Sequence, residues 1–205
     1  MAIACLTAAG IAGCHSAGER ACQKHPTAAC IKQFGSRLMW RDVTLDAADF
    51  RGQVLPHVIF WRASFVQGHF DGADLRFAQF RYATLTGASF HNANLSHAKL
   101  ERAHLEGANF DDAILEGTML SGSHLVQASL RRANLRAAKL RHADLEGVNL
   151  TDAHLDAADL SNANLKKADL RGAVLDRASL GGALLDGATW IDGRRCASHS
   201  RGICR

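Results

Sequence analysis

Three aromatic and cationic groupings recur in this chain at an interval of twenty residues. Arg41, Trp61 and Arg81 form one, Arg62, Tyr82 and Arg102 a second, and His57, Phe77 and His97 a third. If that interval brings residues together, guanidinium groups lie against aromatic faces as cation–π stacks. Two readings of Arg41, Trp61, Arg62, Arg81, Tyr82 and Arg102 stay open. They stabilise a surface, or they form a recognition patch, because exposed Trp, Tyr and Arg are enriched where partners bind tightly. His104, His124 and Asp144 share the interval and offer metal-ligand chemistry, against a chance column in a chain with 11 His. No metal or cofactor is expected. No nucleophile–base–orienter set follows from any spacing, and no Gly-rich phosphate loop is present, so the chain reads as a non-enzyme.

Charged residues follow the same interval with alternating sign. Glu116, Arg136 and Asp156 are one column; Asp112, Arg132 and Asp152, and Glu146, Lys166 and Asp186, are others; Asp71, His91 and Asp111 are a fourth. Opposite charges on neighbouring strands stabilise one another and like charges repel, so these columns predict self-neutralising ladders. A nucleic-acid binder would need unbroken basic columns. An unbroken acidic column would suit a nucleic-acid mimic. Neither appears, and direct nucleic-acid binding is not expected.

The interval of twenty rests on a shorter one. Every fifth residue from Leu45 to Leu185 is Leu or Phe, Trp190 ends the series, and Ala stands two residues earlier in most repeats. A period of five fits neither the 3.6 of a helix nor the 2.0 of a strand, and long self-similarity of this kind marks a solenoid. Units such as Ala93-Asn94-Leu95-Ser96-His97 and Ala168-Asp169-Leu170-Arg171-Gly172 resemble the pentapeptide-repeat family, written A-(D/N)-L-x-x. The resemblance covers residues 41–190. It implies an all-β, right-handed, quadrilateral parallel β-helix with four pentapeptides per coil. The sequence tests that number itself. Phe50, Phe70, Phe90 and Phe110 recur at twenty, Phe60 and Phe80 form a second column above Trp40, and of the Phe residues at the five-residue positions only Phe65 stands outside both. At a strand spacing of roughly 4.8 Å, about 7.5 coils give a rod about 36 Å long. A filled rod of this kind is expected to have no cleft. Pro56 lies in the least regular stretch, 51–62, where a local distortion without an inserted loop is expected.

Small caps should close the exposed sheet edges at both ends. Residues 15–40 read as tether and N-terminal cap, with a short helix within 27–36, and residues 191–205 as a basic C-terminal cap. Trp40 and Trp190 are placed to close the core. Residues 1–40 carry a net charge of +3, the array −2 and residues 191–205 +3. All six cysteines avoid the array. Cys22 and Cys30, and Cys196 and Cys204, share the spacing Cys-x7-Cys. Two local disulfides would imply an oxidising compartment; unpaired thiols and, more weakly, a zinc site with His25 or His199 are the alternatives. Ile11-Ala12-Gly13-Cys14 resembles a bacterial lipobox at the end of an apolar signal spanning 1–14, although no Lys or Arg precedes Cys14. Lipidation at Cys14 would tie the rod to a membrane through a lipid alone, since no apolar run is long enough to span one.

The expected function is therefore a scaffolding or binding rod of a bacterial cell envelope, facing the periplasm and engaging an unidentified protein. The resemblance offers an alternative: some members protect DNA gyrase from quinolones or related toxins in the cytoplasm, as dimeric rods that imitate DNA. Near-neutral charge, balanced columns and the export features count against it. A homodimer through the C-terminal end remains compatible with the resemblance.

Overall fold

The computed structural model describes residues 28–34 and 39–205. A short helix, Ala28–Phe34, precedes the array in sequence, and its Ile31 is fully buried within the hydrophobic core. From Met39 onward each β-bridge joins residues twenty apart in parallel register, from Met39↔Ile59 to Asp169↔Thr189. Bridges recur every five residues, so four walls complete one 20-residue coil. The walls contain isolated bridges instead of extended strands. Two of every five residues form the turn, and only one of the remaining three bridges.

The fate of the backbone amides explains the period. In a representative repeat, Phe70 donates to Ser89 O at 2.7 Å and Gly72 to His91 O at 2.8 Å, both on the following coil. Ala73 closes the turn onto Phe70 O at 3.0 Å, and Asp74 reaches back to Gln53 O at 2.9 Å. That accounts for four amides of five. Where Asp or Asn stands two residues earlier, its side chain takes the fifth: Arg76 N–H donates to Asp74 Oδ1 at 3.2 Å, Ser96 N–H to Asn94 Oδ1 at 3.0 Å, and Arg171 N–H to Asp169 Oδ1 at 3.1 Å. Asp and Asn make this short-range bond to the backbone two residues on more readily than other residues. The signature's D/N position is thus the cap of its own turn.

This scheme corrects the expectation at Pro56. The coil runs through 51–62 without distortion, with Val54↔Asp74 and Ile59↔Gln79 both in register. Pro56 occupies the one repeat position whose amide the backbone ladder does not use, and a fixed φ suits the second residue of a turn. Only the closing bond there, Val58 N–H to Leu55 O, is long at 3.4 Å.

The third turn residue has positive φ in every repeat from Asp42 to Gly187, whether it is Gly, Tyr82, Arg102 or Ala157. Type II turns require this sign. Inside, the Leu and Phe side chains are almost wholly buried and Ala fills the tight approach before each turn. Phe50, Phe70, Phe90 and Phe110 stack at centroid distances of 5.2, 4.9 and 4.8 Å. Phe65 plugs the gap between the two columns, edge-on to Phe50, Phe60 and Phe70 at 5.8, 4.8 and 5.4 Å. Where Thr118 and Ser123 replace Ala, their buried hydroxyls donate to Leu95 O and Leu120 O.

Trp40 is fully buried at the N-terminal end, whereas Trp190 is only partly so. The C-terminal segment folds back antiparallel, with Leu184↔Arg201 and Thr189↔Arg195, and Cys196 is joined to Cys204 by a disulfide with Cα atoms 4.9 Å apart. This cap covers two walls. The amides of Leu175, Arg177 and Leu180 on the other two donate to no backbone carbonyl among the described residues.

Two stability outcomes follow. Ala157 is exposed with φ 56°, so Ala157→Gly should relieve backbone strain and raise stability by up to about 1 kcal/mol, despite the larger entropy of an unfolded glycine. Denaturant unfolding reads this, and a loss would contradict the strained-turn account. Gly68 stands at an Ala position, where an added Cβ would meet Phe65 O at 3.0 Å and Phe70 Cε2 at 3.2 Å. Gly68→Ala should therefore cost about 1–3 kcal/mol through overpacking, seen as a lower thermal midpoint.

Candidate binding pocket

Outward positions carry what chemistry the rod has. At the corner following Phe60 and Phe80, the columns starting at Arg41 and Asp42 stand side by side. Arg41 Cζ lies 4.6 Å from the Trp61 ring centroid, and Arg102 Cζ lies 5.8 Å from that of Tyr82. Neither aromatic is sandwiched between two guanidinium groups as its column suggests. Arg81 leaves Trp61 for Glu101 Oε1 at 2.6 Å, and Arg62 leaves Tyr82 for Asp42 at 2.9 Å. A carboxylate one coil away out-competes the ring for each arginine, because a charge-assisted hydrogen bond is stronger than a partly exposed cation–π contact.

These shifts open a pocket of about 480 Å³ lined by Arg41, Trp61, Arg81, Tyr82, Glu101 and Arg102, with Ile59 and Gln79 at its floor. The expectation of a rod without any cleft is corrected here. The core is filled, but large outward rings beside smaller neighbours leave a hollow on the wall. Five of the six patch residues line it, and Arg62 does not. Glu101, Ile59 and Gln79 were not singled out from sequence. Extending the Arg41–Trp61–Arg81 column by one more coil reaches Glu101.

Glu101 Oε2 is the one buried side-chain nitrogen or oxygen without a hydrogen-bond partner among the described residues. Arg41 and Arg102 have no carboxylate partner among them. Arg102 Nη1 lies 3.4 Å from Tyr82 Oη, a long contact that leaves most of its donors free.

The remaining expected groupings are structural in geometry. His57, Phe77 and His97 stack at 4.9 and 5.3 Å along the previous corner. His104 and His124 stack face to face at 5.0 Å, so their ring nitrogens do not converge, and His104 bonds Glu106. Among the described residues no three metal-ligating side chains assemble. Cys30 is disulfide-bonded, while Cys14 and Cys22 lie outside the described residues.

The charge ladders form only in part. Asp112 and Arg132 pair through two bonds of 2.8 and 2.7 Å, and Glu146 takes Lys167 instead of Lys166. Glu116, Arg136 and Asp156 form no ion pair among the described residues. Most other pairs are local, such as Asp49 with Arg51, Asp74 with Arg76 and Asp169 with Arg171. Residues two apart flank an inward Leu or Phe and emerge on the same side, so an arginine curls back onto the aspartate that caps its own amide.

The profile of pentapeptide repeats matches residues 57–92, 88–127, 113–152 and 153–189, in eight copies. No curated protein matches the sequence. Among solved structures, HetL of the cyanobacterium Nostoc sp. strain PCC 7120, a pentapeptide repeat protein involved in heterocyst differentiation regulation, is 27% identical. The match covers 83% of this chain and all of HetL, with a TM-score of 0.31. Full-length QnrB1, a plasmid-mediated fluoroquinolone resistance protein, is 16% identical over 74% of this chain and 86% of its own, with a TM-score of 0.34. Rfr23, from the cyanobacterium Cyanothece 51142, is 22% identical over 72% and 90%, with a TM-score of 0.23.

The ion pairs set an acid response. Arg51, Arg76, Arg132 and Arg171 hold the carboxyls of Asp49, Asp74, Asp112 and Asp169 below the usual carboxylate range. A group whose folded pKa is depressed stabilises fully above its unfolded value, about 4, and loses that contribution as pH falls through the folded one. The thermal midpoint should hold steady above about pH 5, decline below about pH 4, and decline less in high salt, where exposed pairs already contribute little.

Proposed function

This chain belongs to the pentapeptide-repeat family, and from that premise we propose that it is a non-catalytic binding rod of a bacterial cell envelope, presenting one corner to a macromolecular partner. A single observation carries the reading. The corner around Trp61 gathers two exposed-to-half-buried aromatics, two arginines that lie over those rings and have no carboxylate partner among the described residues, and a hollow. Aromatic and Arg anchors in a pocket are the usual centre of a binding surface. The Cys196–Cys204 bridge and the bonded Cys30 fit an oxidising compartment. The lipobox-like run ending at Cys14 would supply the anchor.

A cytoplasmic DNA mimic is the weaker reading, because Asp49, Asp74, Asp112 and Asp169 are each neutralised by an arginine. The half-covered C-terminal edge at Leu175–Leu180 offers a second copy of the chain a place to pair, since open edges template strand addition.

Trp61→Ala combined with Arg81→Ala should abolish recovery of the partner from envelope extracts, with the coil intact by circular dichroism. Undiminished recovery would sink the patch. In the native host, labelled fatty acid should appear on the protein and disappear with Cys14→Ser; an unlabelled, soluble protein would move the reading to the cytoplasm.

A further inference from the structure

We propose that the pocket between Trp61 and Tyr82 is a saccharide site, taking a neutral, polyhydroxylated oligosaccharide whose hydroxyl donates to Glu101 Oε2. The proposal rests on the binding-rod reading and names the chemistry that the corner recognises. Three properties of the pocket select the ligand. The first is an unmet acceptor: Glu101 Oε1 holds Arg81 at 2.6 Å, but Oε2 is buried without a donor among the described residues. Leaving a buried charged acceptor unpaired is costly, so a group that donates to it binds with advantage. The second is unmet donors, the guanidinium groups of Arg41 and Arg102, which lie over rings and have no carboxylate partner among the described residues. The third is the pair of rings, whose negative faces accept polarised C–H bonds.

Competing chemistries satisfy only part of this set. An ammonium would meet Oε2 but sit among Arg41, Arg81 and Arg102. A carboxylate or phosphate would meet the guanidinium groups but face Glu101 and leave Oε2 orphaned. Hydroxyl groups donate and accept at once, so one sugar ring can serve the carboxylate and the arginines together. Its C–H face can lie on Trp61 or Tyr82. A hollow of about 480 Å³ falls within the ~300–1,000 Å³ of small-molecule sites. The Arg81 side chain that bonds Oε1 is two-fifths exposed (41%).

Titrating the full chain with maltotetraose, cellotetraose and chitotetraose, read by tryptophan fluorescence and saturation-transfer NMR, tests the proposal. Choline and inorganic phosphate serve as the cationic and anionic probes. At least one oligosaccharide should bind saturably, Trp61→Ala should remove the signal, and Glu101→Gln should weaken binding roughly tenfold or more. Trp190→Phe, at the far end of the rod, should leave it unchanged. No oligosaccharide binding up to about 10 mM, binding untouched by Glu101→Gln, or binding of only choline or phosphate would overturn the proposal. Those failures leave the binding-rod reading standing if the Trp61/Arg81 double variant still loses its envelope partner. That reading itself fails if partner recovery survives the double variant.

Discussion

The constraint on which everything else depends is a turn with positive φ at every fifth residue. A left-handed conformation costs an ordinary L-residue roughly 1–2 kcal/mol, and twenty non-glycine residues of the array adopt it. Such strain persists only where surrounding structure over-determines it. Here the over-determination is two-sided. The strained residue donates to the next coil, the residue after it closes the turn, and the central Leu or Phe is locked in the core. No coil can relax its turns without breaking bonds to both neighbours, so the repeats hold one another in place. That coupling is the nearest-neighbour cooperativity of a solenoid.

The same constraint divides the chain's labour. Two of five positions face inward and are committed to Leu, Phe and Ala; a third caps the turn when it is Asp or Asn. Only the remaining outward positions vary freely, and only where large side chains meet across a corner can they build a concavity. The pocket lies beside the coils whose core is aromatic, Phe50 to Phe110, where rigid stacked rings support the corner from within.

Much of the fold was legible because its signal is a register. The interval of five placed the Leu and Phe residues inward, and the interval of twenty placed Phe50 over Phe70 and His57 over Phe77. Register does not say which of two partners an outward side chain takes. Arg81 could have stacked on Trp61 and bonds Glu101 instead; Arg51 could have reached along its column and curls onto Asp49. Both outcomes turn on hydrogen-bond geometry within a few ångströms, below the resolution of a periodic pattern. Pro56 was misjudged for a related reason. Its tolerance depends on which amide the ladder leaves unused, and that emerges only when all five amides of a repeat are traced.

The unpaired charges of the corner gain meaning from their neighbours. The walls neutralise their charge only in part: capping aspartates and the Asp112–Arg132 rung hold some arginines, whereas the guanidinium groups of Arg131, Arg136 and Arg177, like those of Arg41 and Arg102, have no carboxylate partner among the described residues. What sets the Trp61 corner apart is the meeting of two arginines over rings, a hollow and a buried carboxylate oxygen with no donor among the described residues. Glu101 spends one oxygen on Arg81, and its second oxygen is buried with no donor among the described residues, so the pair satisfies the arginine while leaving an acceptor open. A ligand that donates to that oxygen would complete the carboxylate without displacing Arg81 from the other, which is the arrangement the proposed site requires.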